Sequence, residues 1–314
     1  MSPDLSIIVP LYNEEDNVRP LFDAIATAVA PLPSTVELLL VDDGSQDATF
    51  ARALELPRDG KPKLRLVKLR RNYGQTAAMA AGIEHARGRV LVTLDGDLQN
   101  DPTDIPRFLA EIDKGFDLVV GWRKDRKDHW SRVLPSKVAN RLIGWITGVP
   151  IKDNGCSLKA YRADLIKAIP LYAEMHRFIP AMASLAGARI AEIEVRHHPR
   201  RYGRSKYGFS RIYKVLVDLV VIATILDFTR RPMRWLLGTG GLVAGVGCLA
   251  AGLFVLTRAE PGVAFQGVVM LSGALTAFLL FLALLSYLLH SVRAPRLDLF
   301  RLLAARPADT ATSP

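Results

Sequence analysis

Two aspartates separated by one glycine, Asp95-Gly96-Asp97, with Gln99 two positions further on, are the residues of this 314-residue chain that most directly suggest chemistry. In an extended segment, side chains two positions apart emerge on the same side, so the two carboxylates converge. Carboxylate and amide oxygens are hard ligands suited to Mg²⁺ or Mn²⁺. A cation held there would draw in a diphosphate and neutralise charge developing on it. Two further clusters share the acidic, turn-forming character: Pro10-Leu11-Tyr12-Asn13-Glu14-Glu15 and Asp42-Asp43-Gly44-Ser45. Asp42 and Asp43 can accept hydrogen bonds from a nucleobase or ribose, and Tyr12 offers a face for base stacking. Each cluster alone has a plain structural alternative: a helix cap at Asn13 or Asp16, a turn at Asp43-Gly44, a solvated strand end at Asp95.

The elements that precede these clusters argue for the chemical reading. Leu5–Pro10, Val36–Val41 and Val90–Leu94 are short continuous apolar runs, as expected of parallel strands buried on both faces. Each ends where an acidic cluster begins. Further strands are predicted at Leu64–Leu69 and Leu118–Gly121, and helices at Asn17–Ala30 and Gln75–Ala86. Strands alternating with helices predict an α/β fold with a mostly parallel, Rossmann-like sheet, which binds ligands at the carboxyl ends of its strands. No internal repeat stands out, and the tail after about residue 306 has a disordered composition.

The composition divides the chain. Half of the residues are hydrophobic, and the mean hydropathy is +0.17. The excess is concentrated in 235–289, where Arg258 and Glu260 are the only charged residues. Residues 235–257 and 263–289 are uncharged runs; a helix of the first length reaches about 35 Å, enough for a hydrocarbon core of roughly 30 Å. The short linker predicts an antiparallel transmembrane hairpin. Arg230, Arg231 and Arg234 precede it, and His290, Arg293, Arg296 and Arg301 follow. The positive-inside rule then places the catalytic part and both termini in the cytoplasm, at the inner (plasma) membrane. Gly238, Gly240, Gly241, Gly245, Gly247 and Gly252 allow close helix contact and self-association as a homo-oligomer. Residues 209–234 read as interfacial amphipathic helices, with a third membrane-embedded segment as the alternative. The expected layout is thus a catalytic domain at 1–208, interfacial helices at 209–234, the hairpin at 235–290 and a tail at 291–314.

The formal net charge of +10 fits a membrane surface and phosphorylated substrates. No zinc-finger, RNA-recognition or helix-turn-helix pattern supports a nucleic-acid partner. Cys156 and Cys248 fall in different regions and are expected to stay thiols. The N-terminus lacks the basic segment and long apolar core of a signal peptide.

The segments SIIVPLYNEEDNV, VDDGSQDAT, NYGQTAAMAAGIEHARG and LDGDLQNDP together resemble the family 2 inverting glycosyltransferases of GT-A fold. Within these, the chain is similar to the polyprenyl-phosphate sugar transferases, such as dolichol-phosphate mannosyltransferases, bactoprenol glucosyltransferases and undecaprenyl-phosphate aminoarabinose transferases, over residues 4–230. The resemblance implies transfer of one sugar, with inversion, from a nucleoside diphosphate donor, uridine being favoured, to a polyprenyl (undecaprenyl) phosphate. It implies Asp95 and Asp97 as catalytic residues, with Gln99, as metal and diphosphate ligands. Pro10, Tyr12, Asn13, Glu14, Asp42, Asp43 and Gly96 would meet the donor. Arg123, in Gly121-Trp122-Arg123, and Lys137 would meet its phosphates. Arg200, Ser205 and Lys206, in a segment that also offers a cationic cluster at the membrane surface, would hold the lipid phosphate. Residues 153–162, DNGCSLKAYR, look like the acceptor-side loop.

Other readings remain open at this point. A processive polysaccharide synthase would carry more spans and a Gln-x-x-Arg-Trp motif, where this chain has Arg231-Pro232-Met233-Arg234-Trp235. A non-catalytic nucleotide-sugar-binding membrane protein would not need the metal ligands, and a flippase-like component would need more than two spans.

Overall fold

The computed structural model describes residues 3–124 and 140–199, except 142, 146 and 172–174, together with scattered residues between 234 and 282. Lys137, Arg200, Ser205 and Lys206 lie outside the described residues, as do 209–233 and the tail. The chain divides into two compact units, Met1–Leu219 and Val220–Pro314.

The first unit is built on one seven-stranded sheet. Its strands are β1 (Leu5–Leu11), β2 (Val36–Asp42), β3 (Lys63–Lys68), β4 (Val90–Thr93), β5 (Leu118–Trp122), β6 (Lys159–Arg162) and β7 (Ile190–Glu194), in the spatial order β3-β2-β1-β4-β6-β5-β7. All neighbours are parallel except β6, which runs antiparallel to both β4 and β5. The central strands are apolar at nearly every position because both faces are covered. Leu5, Ile7, Val9 and Leu11 of β1 join Leu38, Leu40, Val90 and Val92 in one core, whereas Ile8, Leu39, Val41 and Leu91 face the other.

Two helical layers cover these faces. On the first lie α1 (Val18–Val29) and α4 (Ile105–Asp113). Val18, Leu21, Phe22, Ile25 and Val29 recur at helical spacing and are buried, which is why this stretch forms a helix that docks on one stripe. On the second lie α3 (Gln75–His85), α5 (Ala163–Ala168) and α6 (Ile179–Leu185). A short helix, α2 (Thr49–Leu54), follows β2. α3 approaches the sheet closely: a Cβ on Gly82 would stand 2.3 Å from Ile8 Cγ2. The strands and helices expected from the sequence are present to within a residue or two at each end, and α2, α4, α5, α6, β6 and β7 add to them.

In the second unit, the described residues from Arg234 to Leu249 and from Gly267 to Leu282 are helical. A Cβ on Gly240 would lie 2.9 Å from Leu279, and one on Gly247 would lie 4.0 Å from Leu275. These contacts run in opposite chain directions, as in an antiparallel pair. Leu237, Leu242, Leu249, Phe278 and Leu280 are exposed. No helix among the described residues is long and apolar enough to cross a membrane.

Candidate active site

The carboxyl ends of β1, β2 and β4 lie side by side, so the three acidic clusters meet at one edge of the sheet. The first two are interlocked. Asn13, at φ 50°, donates its N–H to Ser45 Oγ at 2.9 Å and accepts from Gln46 N–H at 2.8 Å. Glu14 N–H bonds Thr49 Oγ1 at 2.8 Å, and Glu14 Oε2 accepts from Asn17 at 2.6 Å. Asn13 and Glu14 therefore hold the two loops against each other, a role not evident from the sequence. Tyr12 and Pro10 are half-buried beside them.

Asp42 and Asp43 separate in role. Asp42 is buried; its Oδ1 accepts from Ser45 N–H at 3.1 Å, while Oδ2 has no hydrogen-bond partner among the described residues. An orphaned buried carboxylate oxygen is costly, and a ligand N–H or O–H would relieve it. Asp43 instead clamps the loop before α3: it accepts from Tyr73 N–H and Gly74 N–H, each at 2.8 Å, and from Asn72 Nδ2 at 3.0 Å. Burial raises its pKa, which these bonds partly offset. Gly44, at φ 67°, packs on the same loop, and a Cβ there would fall 2.4 Å from the Arg71 backbone.

The clamped loop delivers Gln75, the first residue of α3, whose Nε2 donates to Asp95 Oδ1 at 2.6 Å. Asp95 N–H bonds Ser157 Oγ at 3.2 Å, and Asn100 Nδ2 bonds the same oxygen at 2.8 Å. Gly96 lies against β1, with room for no side chain: a Cβ would meet Leu11 at 2.4 Å. Leu98 takes φ 60°, and Gln99 N–H returns to Asp97 Oδ1 at 3.1 Å. Burial, then repulsion from Asp97, lift the Asp95 carboxyl to about 6, against the Ser157 hydrogen bond and the attraction of Arg123 and Lys159.

A cationic wall faces these carboxylates. Arg123 forms a two-pronged ion pair with Asp153, Nε to Oδ2 at 2.7 Å and Nη2 to Oδ1 at 3.0 Å, both residues being largely buried. That pairing, together with the nearby Asp95, holds the Arg123 guanidinium more firmly protonated in spite of burial. Two of its nitrogens are therefore engaged by protein before any phosphate arrives. Lys159 is 2 % exposed and donates to the carbonyls of Cys156 and Asn154 at 2.6 and 3.3 Å; burial lowers its pKa to about 8. His176 Nδ1 lies 2.7 Å from Thr76 Oγ1. Gln75, Asp95, Ser157, Lys159, Tyr161 and His176 line one small cleft with Pro10. Cys156 is fully buried and burial pushes its thiol up to about 11, so it is inert at neutral pH.

The donor set fits a divalent ion. Among the described residues no group of three or more His, Cys, Asp or Glu side chains is placed to hold one. The candidates are two carboxylates in mutual repulsion and the Gln99 amide, which makes no side-chain hydrogen bond among the described residues. Mg²⁺ and Mn²⁺ sites that take their remaining ligands from water and substrate phosphates have this sparse character.

The family model for glycosyl transferase family 2 matches residues 6–169, which contain all three acidic clusters, Arg123 and Lys159. The chain belongs to glycosyl transferase family 2. Among relatives of this family-2 chain is a dodecaprenyl-phosphate galacturonate synthase of Rhizobium johnstonii, 50% identical over 254 residues, which span 79% of this chain and 74% of the relative. Among solved structures, glucosyl-3-phosphoglycerate synthase from Mycobacterium tuberculosis, in complex with Mn²⁺, uridine diphosphate and phosphoglyceric acid, superposes with a TM-score of 0.57 at 19% identity, over 70% of this chain and 78% of that one. S. aureus TarS 1–349 in complex with UDP-GlcNAc gives 0.51 at 20% identity, over 70% of this chain and 66% of that one. These two likenesses establish the shared GT-A-like fold.

Proposed function

We propose that this family 2 glycosyltransferase moves a single sugar from a UDP-sugar to a polyprenyl phosphate, with inversion, at the cytoplasmic face of a membrane. The observation that carries the reading is the Asp95/Asp97 pair following β4, at the same sheet edge as the buried Asp42, whose Oδ2 has no hydrogen-bond partner among the described residues. The first suits a metal-bound diphosphate, and the second suits a nucleoside donor group. The half-identical relative named for dodecaprenyl phosphate supports the acceptor class, and its galacturonate makes a UDP-uronic acid the first donor to test. The fold relative with Mn²⁺ and UDP supports the cofactor and the base.

With this acceptor the reaction needs no dedicated base. A phosphate monoester has a second pKa of about 6 and is largely dianionic at neutral pH, so its oxygen attacks the anomeric carbon without losing a proton. The bond from that carbon to the donor diphosphate breaks as the new one forms, and UDP departs. The protein's task is to bring two anions together. Asp95, Asp97 and Gln99 would hold a Mg²⁺ or Mn²⁺, which supplies neutralising charge to the leaving diphosphate when bound. Arg123 and Lys159 add fixed positive charge beside Asp95. Lys137 is assigned to donor phosphates and Arg200, Ser205 and Lys206 to the lipid phosphate. Residues 235–257 and 263–289 form the anchoring hairpin, with 209–234 along the interface, and the exposed apolar side chains of the second unit support this.

The test is an assay of purified full-length protein with polyprenyl phosphate and radiolabelled UDP- and GDP-sugars, with and without Mn²⁺. Label in a single lipid-linked sugar supports the reading. Label in long polymer would make the protein a processive synthase. Donor binding without transfer of any kind would make it a sensor.

A further inference from the structure

We propose that Gln75 and Ser157 are positioning residues that fix Asp95, the first at its carboxylate and the second at its backbone, for a divalent cation; the inference rests on the metal site proposed above and assigns it two supports outside the Asp-Gly-Asp motif. The geometry at Ser157 is a matter of counting. A serine hydroxyl has two lone pairs and one O–H. Its lone pairs accept from Asp95 N–H at 3.2 Å and from Asn100 Nδ2 at 2.8 Å. Ser157 therefore holds Asp95 by its backbone, as the acceptor of its N–H. Gln75 approaches from the other side, with Nε2 at 2.6 Å from Oδ1. Asp95 is thereby held at its carboxylate by a donor from α3 and at its backbone N–H by an acceptor in the loop before β6, 20 and 62 residues away in the chain.

This grip is built rather than incidental. Gln75 is the first residue of α3, following Gly74 at φ 96°, and the Gly74 N–H is held by Asp43. A carboxylate bonded at one oxygen, on a backbone that is itself pinned, loses the freedom to swing away from Asp97 and presents its remaining lone pairs in a fixed direction. Groups that hydrogen-bond a metal-ligating side chain commonly govern metal affinity.

The experiment measures Mn²⁺ binding to full-length protein by electron paramagnetic resonance, in the presence of saturating UDP, alongside UDP affinity without metal and thermal unfolding. Gln75→Leu and Ser157→Ala are each expected to weaken Mn²⁺ binding by about tenfold or more, while metal-free UDP affinity and unfolding temperature stay put. Ser157→Thr, which keeps the hydroxyl, is expected to bind as the unaltered protein does. Unchanged Mn²⁺ affinity in Gln75→Leu overturns the proposal. If Gln75→Leu unfolds early, the Ser157 pair decides: equal Mn²⁺ affinity in Ser157→Ala and Ser157→Thr overturns it. Failure of the unaltered protein to bind Mn²⁺ overturns the metal site itself, a distinct result.

Discussion

The backbone N–H of His198 bonds the carbonyl of Gln99 at 2.8 Å, fastening the chain that leaves β7 to the residue two positions beyond Asp97. The fastening is broad. Asn100 and His197 form an isolated bridge, His198 Nε2 lies 3.2 Å from Asp101 Oδ2, and Arg196 N–H bonds the fully buried Asp104 at 2.8 Å. The chain that leads directly into the basic segment 200–206 therefore departs from the loop that carries Asp97 and Gln99.

Loosening this attachment should affect the acceptor more than the donor. Asp104→Ala removes the acceptor for Arg196 N–H. The KM for polyprenyl phosphate is expected to rise about tenfold, equivalent to ~1.4 kcal/mol, with the UDP-sugar KM within about twofold. Steady-state kinetics with each substrate varied in turn checks this, and equal rises in both constants would count against it.

Asp97→Ala should lower transfer by about three orders of magnitude, equivalent to ~4 kcal/mol of transition-state stabilisation. Circular dichroism should be that of the unaltered protein and thermal unfolding only slightly lower, because Asp97 lies in the loop after β4 and the substitution removes its hydrogen bond from Gln99 N–H. Retained transfer would refute the assignment of Asp97 to the metal.

The Asp95 carboxyl, raised to about 6, sets a pH dependence. Its folded value exceeds the 3.8 of an ordinary Asp, so between these the folded state binds more protons than the unfolded. Its contribution to stability therefore falls as pH rises from about 4 to 6 and is level above. Cation binding requires the ionised form, so Mn²⁺ affinity should drop by about tenfold per unit as pH falls below 6. Calorimetric titrations in buffers of different ionisation enthalpy will show about one proton released near pH 5.5 and fewer at pH 7.5; a pH-independent affinity from 5 to 7.5 would contradict it.

Breaking the Arg123–Asp153 pair leaves a buried charge without its partner. Arg123→Met or Asp153→Leu alone should each cost about 3 kcal/mol or more in denaturant unfolding. The double replacement should restore much of that stability while transfer stays impaired, since Arg123 also faces Asp95. Additive losses in the double variant would mean that the two residues are not energetically coupled.

Gly82→Ala tests how closely α3 meets the sheet. The new methyl would overlap Ile8, itself fully buried, so a loss of about 1–3 kcal/mol is expected. Because Gln75 rides on the same helix, Mn²⁺ affinity should fall with it. A variant as stable as the original would show that the helix shifts freely.

Much of this is legible in the chain. β1, β2 and β4 announce themselves because both faces are buried, leaving few polar residues to break the run. The acidic clusters follow directly, and Gly96 is explained by its contact with Leu11. β6 is hidden because it is four residues long and carries Lys159, an unusual strand residue until the carbonyls of Asn154 and Cys156 are seen to receive it. β7 carries an alternating pattern in IAEIE that supplies a usable signal. Asn13, Glu14 and Asp43 have the residue types of ligand contacts, yet their hydrogen bonds first join loop to loop. Gln75 and Ser157 fall within family-like segments, yet their contacts with Asp95 are not legible there because partnership across a sheet leaves no mark in local spacing; the placement of Gln75 after Gly74, at a helix start, is the available clue.

The insertion of β6 between β4 and β5 bears on how the protein matures. β4 cannot gain its second neighbour, nor Asp95 its serine, until the 62 residues that separate Asp95 from Ser157 have also left the ribosome. Pairings of such long sequence separation form late in folding. A nascent chain that has completed β1 to β4 thus carries the acidic motif without the serine contact to Asp95. The full surroundings of Asp95 are acquired only when the chain has closed on itself.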